Sequence, residues 1–446
     1  MRVFTDIWDW LGIKRTLAEP RGWRSECKLV TPRVGQVGAG GSPVTPKVLD
    51  RGVSKHVRVR VMLVTTQGEA PPVAARKRVL FTLVFLGSGG IERSVCNVLT
   101  GLDPSQFDTK MFFHHRPHPK SQSDRIPQRT EVVWGTDAFE YRRGMLPRFF
   151  WRLVREARDV DVIVAGQEGR AALLACLAGR LLRKPVVGMI HFDWGAFHLE
   201  QPRRQLWGLR WLYPRMSRIV ACGHDSAKAF RDLVPVRPEQ LHVIPNFVDG
   251  DRVRAAGEHP LPAWAEPIFR KPVVIAVGRL EHQKAFDVLI RSHALMRQAG
   301  VDQHLLILGE GSLEAELKAL VKSLGVEDSV FLPGFAPNPH ALMRRAAAFA
   351  LSSRFEGLPM VLLEALALGC PVVSTDCPSG PAEVLEHGKH GVLVPMEQPQ
   401  ALADALARIV QDDVHRADLS ARARRRSEEL SADRALKAWE SLLSSL

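Results

Sequence analysis

Short apolar runs alternate with helical stretches along most of the chain, and this alternation constrains the fold more than any other feature. Candidate strands of a first series are residues 79–84, 108–113, 131–134, 161–165, 185–190, 218–221 and 241–244. After a predicted linker, residues 248–271, the pattern restarts with candidate strands 273–277, 305–308, 329–332, 348–351 and 372–375. Apolar strands with intervening helices predict α/β domains whose parallel sheets are covered on both faces.

The length of the chain and the restart of the pattern predict two Rossmann-like domains that face each other across a cleft. A chain of 446 residues is too long for one ordinary hydrophobic core. The predicted segments are a poorly ordered N-terminal extension (1–76), two domains (77–250 and 251–430) and a C-terminal helix (431–446). Residues 4–11 have the spacing of a short amphipathic helix, and the alternative is that Met62 is the true start.

Composition narrows the class of protein. A hydrophobic content of 46% with 24% charged residues is typical of a soluble globular protein, and no apolar run reaches the roughly 18 residues of a membrane span. The N-terminus lacks the features of a signal peptide. The six cysteines are scattered without a Cys-x-x-Cys pair, which is typical of a reduced protein without structural zinc. We therefore expect a cytoplasmic location.

The net charge of +13 is unevenly distributed. Residues 76–250 carry 27 basic and 17 acidic residues, whereas residues 251–446 carry 22 basic and 25 acidic residues. A basic first half favours an anionic partner such as phospholipid headgroups or a diphosphate. A merely solvated basic surface is the alternative.

Two carboxylates flank a predicted strand-to-helix turn in the second half. Glu356 precedes the turn, and Glu364 lies on a helix that we predict to begin at Pro359 and to end at the C-cap Gly369. Free backbone N–H groups at such a turn favour anions. An ordinary strand-turn-helix unit with a glutamate near the helix start is the alternative.

Other candidate residues follow strands at the same predicted edge of each sheet. Gly89 and Gly90 follow the first strand, and His191 follows the strand at 185–190. Arg279 follows the strand at 273–277, and Lys284 is predicted at the start of the next helix, where a cation opposes the helix dipole. A diphosphate bound between the two cations would explain their placement. The alternatives are a tight turn without a ligand at the glycines, a structural role for His191, and two solvated surface cations at Arg279 and Lys284.

The order and spacing of these motifs resemble glycosyltransferase family 4, whose members are retaining, nucleotide-sugar-dependent enzymes of the GT-B fold. The resemblance covers about residues 77–430. The motifs that carry it are Gly89-Gly90, Val243-Ile244-Pro245-Asn246, Gly278-Arg279 with Lys284, Gly309-Glu310-Gly311, Glu356 with Glu364, and Ser379-Gly380-Pro381-Ala382-Glu383. By the resemblance the catalytic residues are His191 and Glu356, and the donor-binding residues are Gly89, Gly90, Arg279, Lys284, Gly334, Gly357, Leu358, Met360 and Glu364.

The resemblance also assigns roles. Arg279 and Lys284 would bind the donor diphosphate, Glu364 the ribose hydroxyls, and Glu356 would face the donor sugar beside His191. It implies neither a metal nor a cofactor, because the nucleotide sugar is a substrate. An Asp-x-Asp sequence at residues 159–161 leads into a strand and should lie away from the cleft.

The acceptor is predicted more coarsely. The stretch at 376–381 resembles that of members that use UDP-activated hexoses or N-acetylhexosamines in surface-glycan assembly, with lipid-linked or oligosaccharide acceptors. Basic, aromatic patches at residues 141–152 and 205–215 suit a membrane interface, so we expect possible contact with the inner face of the plasma membrane. Helices that merely pack on the core are the alternative.

Three hypotheses remain from the sequence. A retaining glycosyltransferase explains both carboxylates and both cations. A UDP-sugar epimerase of GT-B-like fold is the alternative enzyme. A nucleic-acid-binding protein is suggested by the pI of about 9.8. It is disfavoured because the second half has no basic excess and the chain contains no recognised nucleic-acid-binding motif. No nucleic-acid partner is expected.

Overall fold

The computed structural model describes residues 76–87, 89–116, 126–136, 145–197 and 203–446, which belong to one compact unit. The predicted poorly ordered extension, apart from Arg76, and the amphipathic helix at 4–11 lie outside the described residues.

The first half forms a parallel sheet of seven strands with the order β3-β2-β1-β4-β5-β6-β7. The elements in chain order are β1 (Lys77–Leu83), α1 (Gly90–Gly101), β2 (Phe107–Phe113), β3 (Glu131–Trp134), α2 (Met145–Glu156), β4 (Val162–Ala165), α3 (Arg170–Leu182), β5 (Val186–Ile190), α4 (Trp194–Phe197), α5 (Arg203–Leu212), β6 (Arg218–Ala221), α6 (His224–Leu233) and β7 (Leu241–Val243).

The second half forms a parallel sheet of six strands with the order β10-β9-β8-β11-β12-β13. Its elements are α7 (Gly250–Gly257), β8 (Val273–Val277), α8 (Phe286–Gln298), β9 (His304–Leu308), α9 (Glu314–Ser323), β10 (Val330–Gly334), α10 (His340–Arg345), β11 (Ala348–Leu351), α11 (Met360–Ala367), β12 (Val372–Thr375), α12 (Pro381–Val384), β13 (Val392–Val394), α13 (Pro399–Gln411), α14 (Asp413–Glu429) and α15 (Ala432–Ser444).

Both sheets are buried on both faces, which explains the continuous apolar runs of their strands. Along β1, Leu80 packs into one hydrophobic cluster, whereas Phe81 packs into another on the opposite face. Along β8, Ile275 and Val274 separate in the same way. Strands with two buried faces lose the alternation of polar and apolar residues that marks a half-exposed sheet.

The predicted linker at 248–271 is wrong in part, because it contains helix α7. Asp249 caps this helix by accepting a hydrogen bond from the amide of Arg252. The helix buries Val253, and a Cβ on Gly257 would lie 2.7 Å from the side chain of Leu368. A helix of eight residues with one large apolar side chain leaves little periodicity to read.

Two predicted helix starts are also displaced. Pro359 is the N-cap of α11 rather than its first residue, with ψ of 114°. Lys284 ends a 3-10 turn, His282–Lys284, and Ala285 in the left-handed region (φ 47°) separates it from α8. Lys284 therefore avoids the first turn of α8, where its charge would oppose the helix dipole.

The C-terminal helix α15 packs on the first half of the chain. Trp439 and Leu443 join the cluster of α1 and β1, and the amide of Asp103 donates a hydrogen bond to Glu440. Among the described helices, none is both long and apolar enough to cross a bilayer.

Candidate active site

The loops that carry the predicted residues meet at facing edges of the two sheets. His191 follows β5, Arg279 lies two residues beyond the end of β8, and Glu356 follows β11. The carboxyl ends of parallel strands are where open α/β sheets bind ligands. The backbone amide of Asp193 donates to the carbonyl of Glu356 at 3.2 Å, so the two edges are in direct contact.

Glu356 is a buried carboxylate with a cation beside it. It is 5% exposed, and its Oε1 lies 2.5 Å from Nζ of Lys284. The hydroxyl of Ser353, a fully buried residue, donates to the same oxygen at 2.6 Å. The ammonium carries three N–H groups, so Lys284 can hold Glu356 and still donate to a second anion. The sequence analysis missed Ser353, whose position three residues before Glu356 carries no signal by itself.

His191 is held by two contacts within the first half. Its backbone amide donates to Oε1 of Glu168 at 2.6 Å, and its Nε2 lies 2.9 Å from the carbonyl of Gly166. A carbonyl only accepts, so Nε2 of His191 is the donor in this contact. A Cβ at Gly357 would lie 1.8 Å from the carbonyl oxygen of His191, so only glycine permits this approach.

Arg279 lies exposed at the rim of the cleft beside Lys284. Its guanidinium donates to the side chain of Gln283 at 3.3 Å, and Gln283 in turn donates to the carbonyl of Phe355 at 2.9 Å. A Cβ at Gly278 would lie 3.2 Å from the stem of Lys284, so a small residue there gives the lysine room. Two neighbouring cations, of which Arg279 is exposed, can bind a diphosphate.

Glu364 is the most enclosed of the predicted site residues that carry charge. Its side chain is 2% exposed, and its Oε1 lies 2.5 Å from Nη1 of Arg93, which comes from α1 in the first half. Nε2 of His340, at the start of α10, lies 3.5 Å from the other carboxylate oxygen. Sequence analysis gave no role to Arg93 or His340, since neither contact is local in the chain.

The remaining predicted residues make packing and backbone contacts at the turns that follow the strands. A Cβ at Gly90 would lie 3.6 Å from the side chain of Met360, so the start of α1 packs on the start of α11. Leu358 is buried, and its carbonyl accepts a hydrogen bond from Asn246 at 3.0 Å. Gly334 ends β10 with φ of 90°, and its carbonyl accepts from the amide of Gly309 at 2.9 Å.

Gly89 is the N-cap of α1 and lies against the side chain of Glu92. Glu92 is a further buried acid, in addition to Glu356 and Glu364, and is not among the predicted site residues. Glu92 is 6% exposed. Burial raises the pKa of Glu92, and a bond to its own backbone amide and the nearby charges of Arg279 and Arg93 oppose the rise. The carboxyl therefore belongs to the same electrostatic environment as the predicted diphosphate site.

Two further polar contacts join the halves. The hydroxyl of Ser379 donates to Asp193 beside the carbonyl of Glu356. Glu383 accepts hydrogen bonds from the amides of His224 (2.8 Å) and Asp225 (3.4 Å), and so caps the start of α6 from the other half. Burial raises the pKa of Glu383.

The Asp-x-Asp sequence has a structural role at the opposite end of the sheet. Asp161 accepts from the backbone amide of Arg78, and Asp159 pairs with the Arg78 guanidinium at 2.8 Å. Among the described residues, one group could hold a metal by geometry, formed by Glu386, His390 and Glu429. The guanidinium of Arg426 lies 2.5 Å from Glu386 and 2.9 Å from Glu429, so a cation already neutralises it.

Comparison with solved structures identifies the fold. The crystal structure of Anabaena Alr3699/HepE in complex with UDP and glucose superposes with a TM-score of 0.70, at 23% identity, over 83% of this chain and 100% of that chain. The two Rossmann-like halves with a cleft between them are therefore a GT-B fold, as predicted.

Sequence profiles identify the family. The profile described as Glycosyltransferase Family 4 matches residues 88–252, and the profile described as Glycosyl transferases group 1 matches residues 265–426. Together the two profiles cover most of both halves. The chain belongs to glycosyltransferase family 4, which confirms the resemblance.

Curated relatives match over parts of their length. The N-acetylgalactosamine-N,N'-diacetylbacillosaminyl-diphospho-undecaprenol 4-alpha-N-acetylgalactosaminyltransferase of Campylobacter jejuni is 33% identical over 202 residues, which are 45% of this chain and 53% of the relative. The putative colanic acid biosynthesis glycosyltransferase WcaL of Escherichia coli is 38% identical over 162 residues, 34% of this chain and 39% of the relative. The chain thus spans about half the length, or less, of these relatives.

Proposed function

We propose that the protein transfers a hexose or N-acetylhexosamine, with retention, from a UDP-sugar to a lipid-linked or oligosaccharide acceptor in surface-polysaccharide assembly. The observation that carries the proposal is the convergence of Arg279, Lys284, Glu356 and Glu364 on one cleft within a family 4 fold. The cations Arg279 and Lys284 match a diphosphate, and the buried carboxylates Glu356 and Glu364 match hydroxyl-rich groups on either side of it.

The names of similar proteins support the proposed donor and acceptor. The Anabaena protein was crystallised with UDP and glucose. The name of the Campylobacter relative includes diphospho-undecaprenol, and that of the Escherichia coli relative includes colanic acid biosynthesis. We take a lipid-linked acceptor from these names as the working assignment.

The proposed mechanism uses residues that the fold already holds in place. Arg279 and Lys284 neutralise the charge that develops on the departing diphosphate, which lowers the barrier by electrostatic stabilisation. Lys284 does this while its ammonium stays in contact with the carboxylate of Glu356. Glu356 faces the positive charge that develops on the donor sugar, and His191 approaches the sugar from the first half. The acceptor hydroxyl attacks the anomeric carbon on the face from which the diphosphate departs, and its proton passes to the departing diphosphate oxygen. The new bond forms on the side where the old one breaks, so the anomeric configuration is retained.

Product stereochemistry and acceptor dependence test this proposal. We expect the NMR coupling constant of the new glycosidic bond to give the same anomeric configuration as the donor. We also expect the donor to stay unchanged without acceptor, apart from slow hydrolysis. An inverted product would contradict retention. Conversion of the UDP-sugar to its epimer without acceptor would favour the epimerase.

Transfer is expected to continue in excess EDTA at more than about half the untreated rate, because Arg279 and Lys284 supply the charge that a divalent ion would otherwise supply. The measurement is product formation after dialysis against EDTA, with re-addition of Mg²⁺ or Mn²⁺ as the control. A strict requirement for added metal would overturn the metal-free mechanism.

The acceptor assignment extends to a surface of the first half, formed by α2, α3 and α5 and called here the basic helical face. The three helices share one hydrophobic cluster beneath them. Trp151, Trp207 and Trp211 are exposed by 61%, 73% and 38%, and Leu181 by 54%. Segments 145–158, 170–184 and 203–218 contain four, four and five basic residues, and Glu156 is their one acid. The helices therefore pack on the core, and their exposed tryptophans also support the interpretation as a membrane interface.

We propose that the basic helical face binds anionic phospholipid on the cytoplasmic side of the plasma membrane. Tryptophan prefers the membrane interface, and each basic residue near an anionic surface contributes about 1 kcal/mol. The guanidinium of Arg215 lies 4.5 Å from the Trp211 ring centroid, so the aromatic and basic groups are in contact. A surface that contacts only water does not require exposed tryptophan side chains, whereas a membrane interface would bury them.

Replacing Trp151, Trp207 and Trp211 together with alanine is expected to weaken binding to vesicles with phosphatidylglycerol by about tenfold or more, since interfacial burial of their rings is lost. The measurement is co-sedimentation with vesicles that contain or lack the anionic lipid. Trp264→Ala is the matched control, because Trp264 is 45% exposed but lies in the second half. Equal losses in the control and the triple variant would contradict the assignment.

A further inference from the structure

Arg93 and Glu364 form an ion pair between the two halves of the molecule. Arg93 lies in the first turn of α1, and Glu364 lies 271 residues later in α11. Their side chains are 13% and 2% exposed, and Nη1 lies 2.5 Å from Oε1. The pair is thus enclosed in the cleft at the carboxylate that the resemblance assigns to the nucleotide ribose.

In this arrangement protein groups contact both carboxylate oxygens of Glu364, and its side chain is 2% exposed. Arg93 covers one carboxylate oxygen, and Nε2 of His340 lies 3.5 Å from the other. The start of α1 closes a further side, since a Cβ at Gly90 would lie 3.6 Å from Met360. With Arg93 in place, Glu364 therefore presents little accessible carboxylate surface to a nucleotide.

The exchange is feasible in energy. The attraction within a buried ion pair is largely offset by the desolvation of its two charges, so its net contribution to stability is small. Hydroxyl groups that donate to a carboxylate form charge-assisted hydrogen bonds, which can replace those of the guanidinium. The side chain of Arg93 can leave by rotation about its own bonds, and water in the opened cleft can solvate it.

We propose that Arg93 acts as a gate on the ribose subsite: it pairs with Glu364 in the donor-free protein and releases it when a nucleotide binds. Nucleotide and Arg93 then compete for one carboxylate, and the measured affinity is reduced by the fraction of molecules in which the pair is closed. The inference rests on the proposed function, because it takes Glu364 as the ribose-binding residue.

The test is the dissociation constant of UDP, measured by calorimetry for wild type, Arg93→Gln and Arg93→Lys. The gate predicts that Arg93→Gln binds UDP about threefold to tenfold more tightly than wild type, because the competing charge is gone. Arg93→Lys retains a cation and should return the affinity towards that of wild type. Arg254→Ala is the control, since Arg254 forms an ion pair with Asp251 on the surface of α7. Thermal unfolding checks that each variant is folded.

A double-mutant comparison separates the gate from a general effect on the fold. In a Glu364→Ala background Arg93 has no side-chain acceptor at position 364, so adding Arg93→Gln should leave the UDP dissociation constant unchanged. If the single variant Arg93→Gln binds UDP as tightly as wild type or more weakly, the gate is overturned. The proposed function is not affected by that outcome as long as wild type binds UDP. Failure of both proteins to bind UDP would overturn both proposals, and binding by the variant alone would support the gate.

Discussion

Replacing both Arg279 and Lys284 with alanine is expected to reduce sugar transfer by roughly 10²–10⁴-fold, the larger of the two effects that the account predicts. Each cation would form a charge-assisted hydrogen bond to the diphosphate, and each such bond is worth about 1.5–3 kcal/mol. The measurement is the initial rate of UDP release with acceptor present. Near-normal turnover would defeat the diphosphate assignment.

Stability has to be measured alongside this result, because the two cations differ in their surroundings. Arg279 is exposed, so Arg279→Ala should leave the fold unchanged. Lys284 neutralises the buried Glu356, and removing one partner of a buried pair can cost about 3–5 kcal/mol. Lys284→Ala with Glu356→Gln should restore stability without restoring transfer. Arg344→Ala, which breaks the partly exposed pair with Glu258, is the matched control and should retain transfer.

Replacing Glu364 with alanine is expected to weaken UDP binding by roughly tenfold to a hundredfold. The ribose hydroxyls would lose the carboxylate that accepts their hydrogen bonds, at about 1.5–3 kcal/mol for a bond to a charged group. Part of this loss is offset, because Glu364→Ala also removes the ion pair with Arg93 that has to open before UDP binds to the wild type.

Calorimetry with UDP and with 2′,3′-dideoxy-UDP measures this effect. Wild type should prefer UDP, whereas Glu364→Ala should bind the two ligands about equally. Glu364→Gln is the control for shape, since its amide retains one accepting oxygen. An unchanged UDP dissociation constant in Glu364→Ala would contradict the ribose role.

The fold could be predicted from local sequence because its strands are buried on both faces. Strand β8 and residues 305–308 of β9 are continuously apolar. The predicted ends of both strands, each followed by a glycine, agree with the ends in the structure. Helix α7 was missed because its eight residues bury one large side chain, Val253. Local pattern therefore sufficed wherever burial was continuous along an element.

The candidate site could be predicted only as separate groups, because its contacts join distant parts of the chain. Lys284 and Glu356 are 72 residues apart, and Arg93 and Glu364 are 271 residues apart. The sequence suggested an anion beside Lys284 and assigned it to a ligand. In the structure Glu356 already occupies that position beside the lysine. Pairing between side chains follows from the packing of the two halves, which no local pattern encodes.

Sugar transfer itself can be measured by incubating the protein with a panel of UDP- and GDP-sugars and with acceptors from a lipid extract. The products are then identified by mass spectrometry. The account predicts that one UDP-sugar adds the mass of a single hexose or N-acetylhexosamine to a lipid-linked acceptor, and that Arg279→Ala with Lys284→Ala abolishes this product. Release of no UDP and no change in acceptor mass with any donor, despite a folded protein, would contradict it.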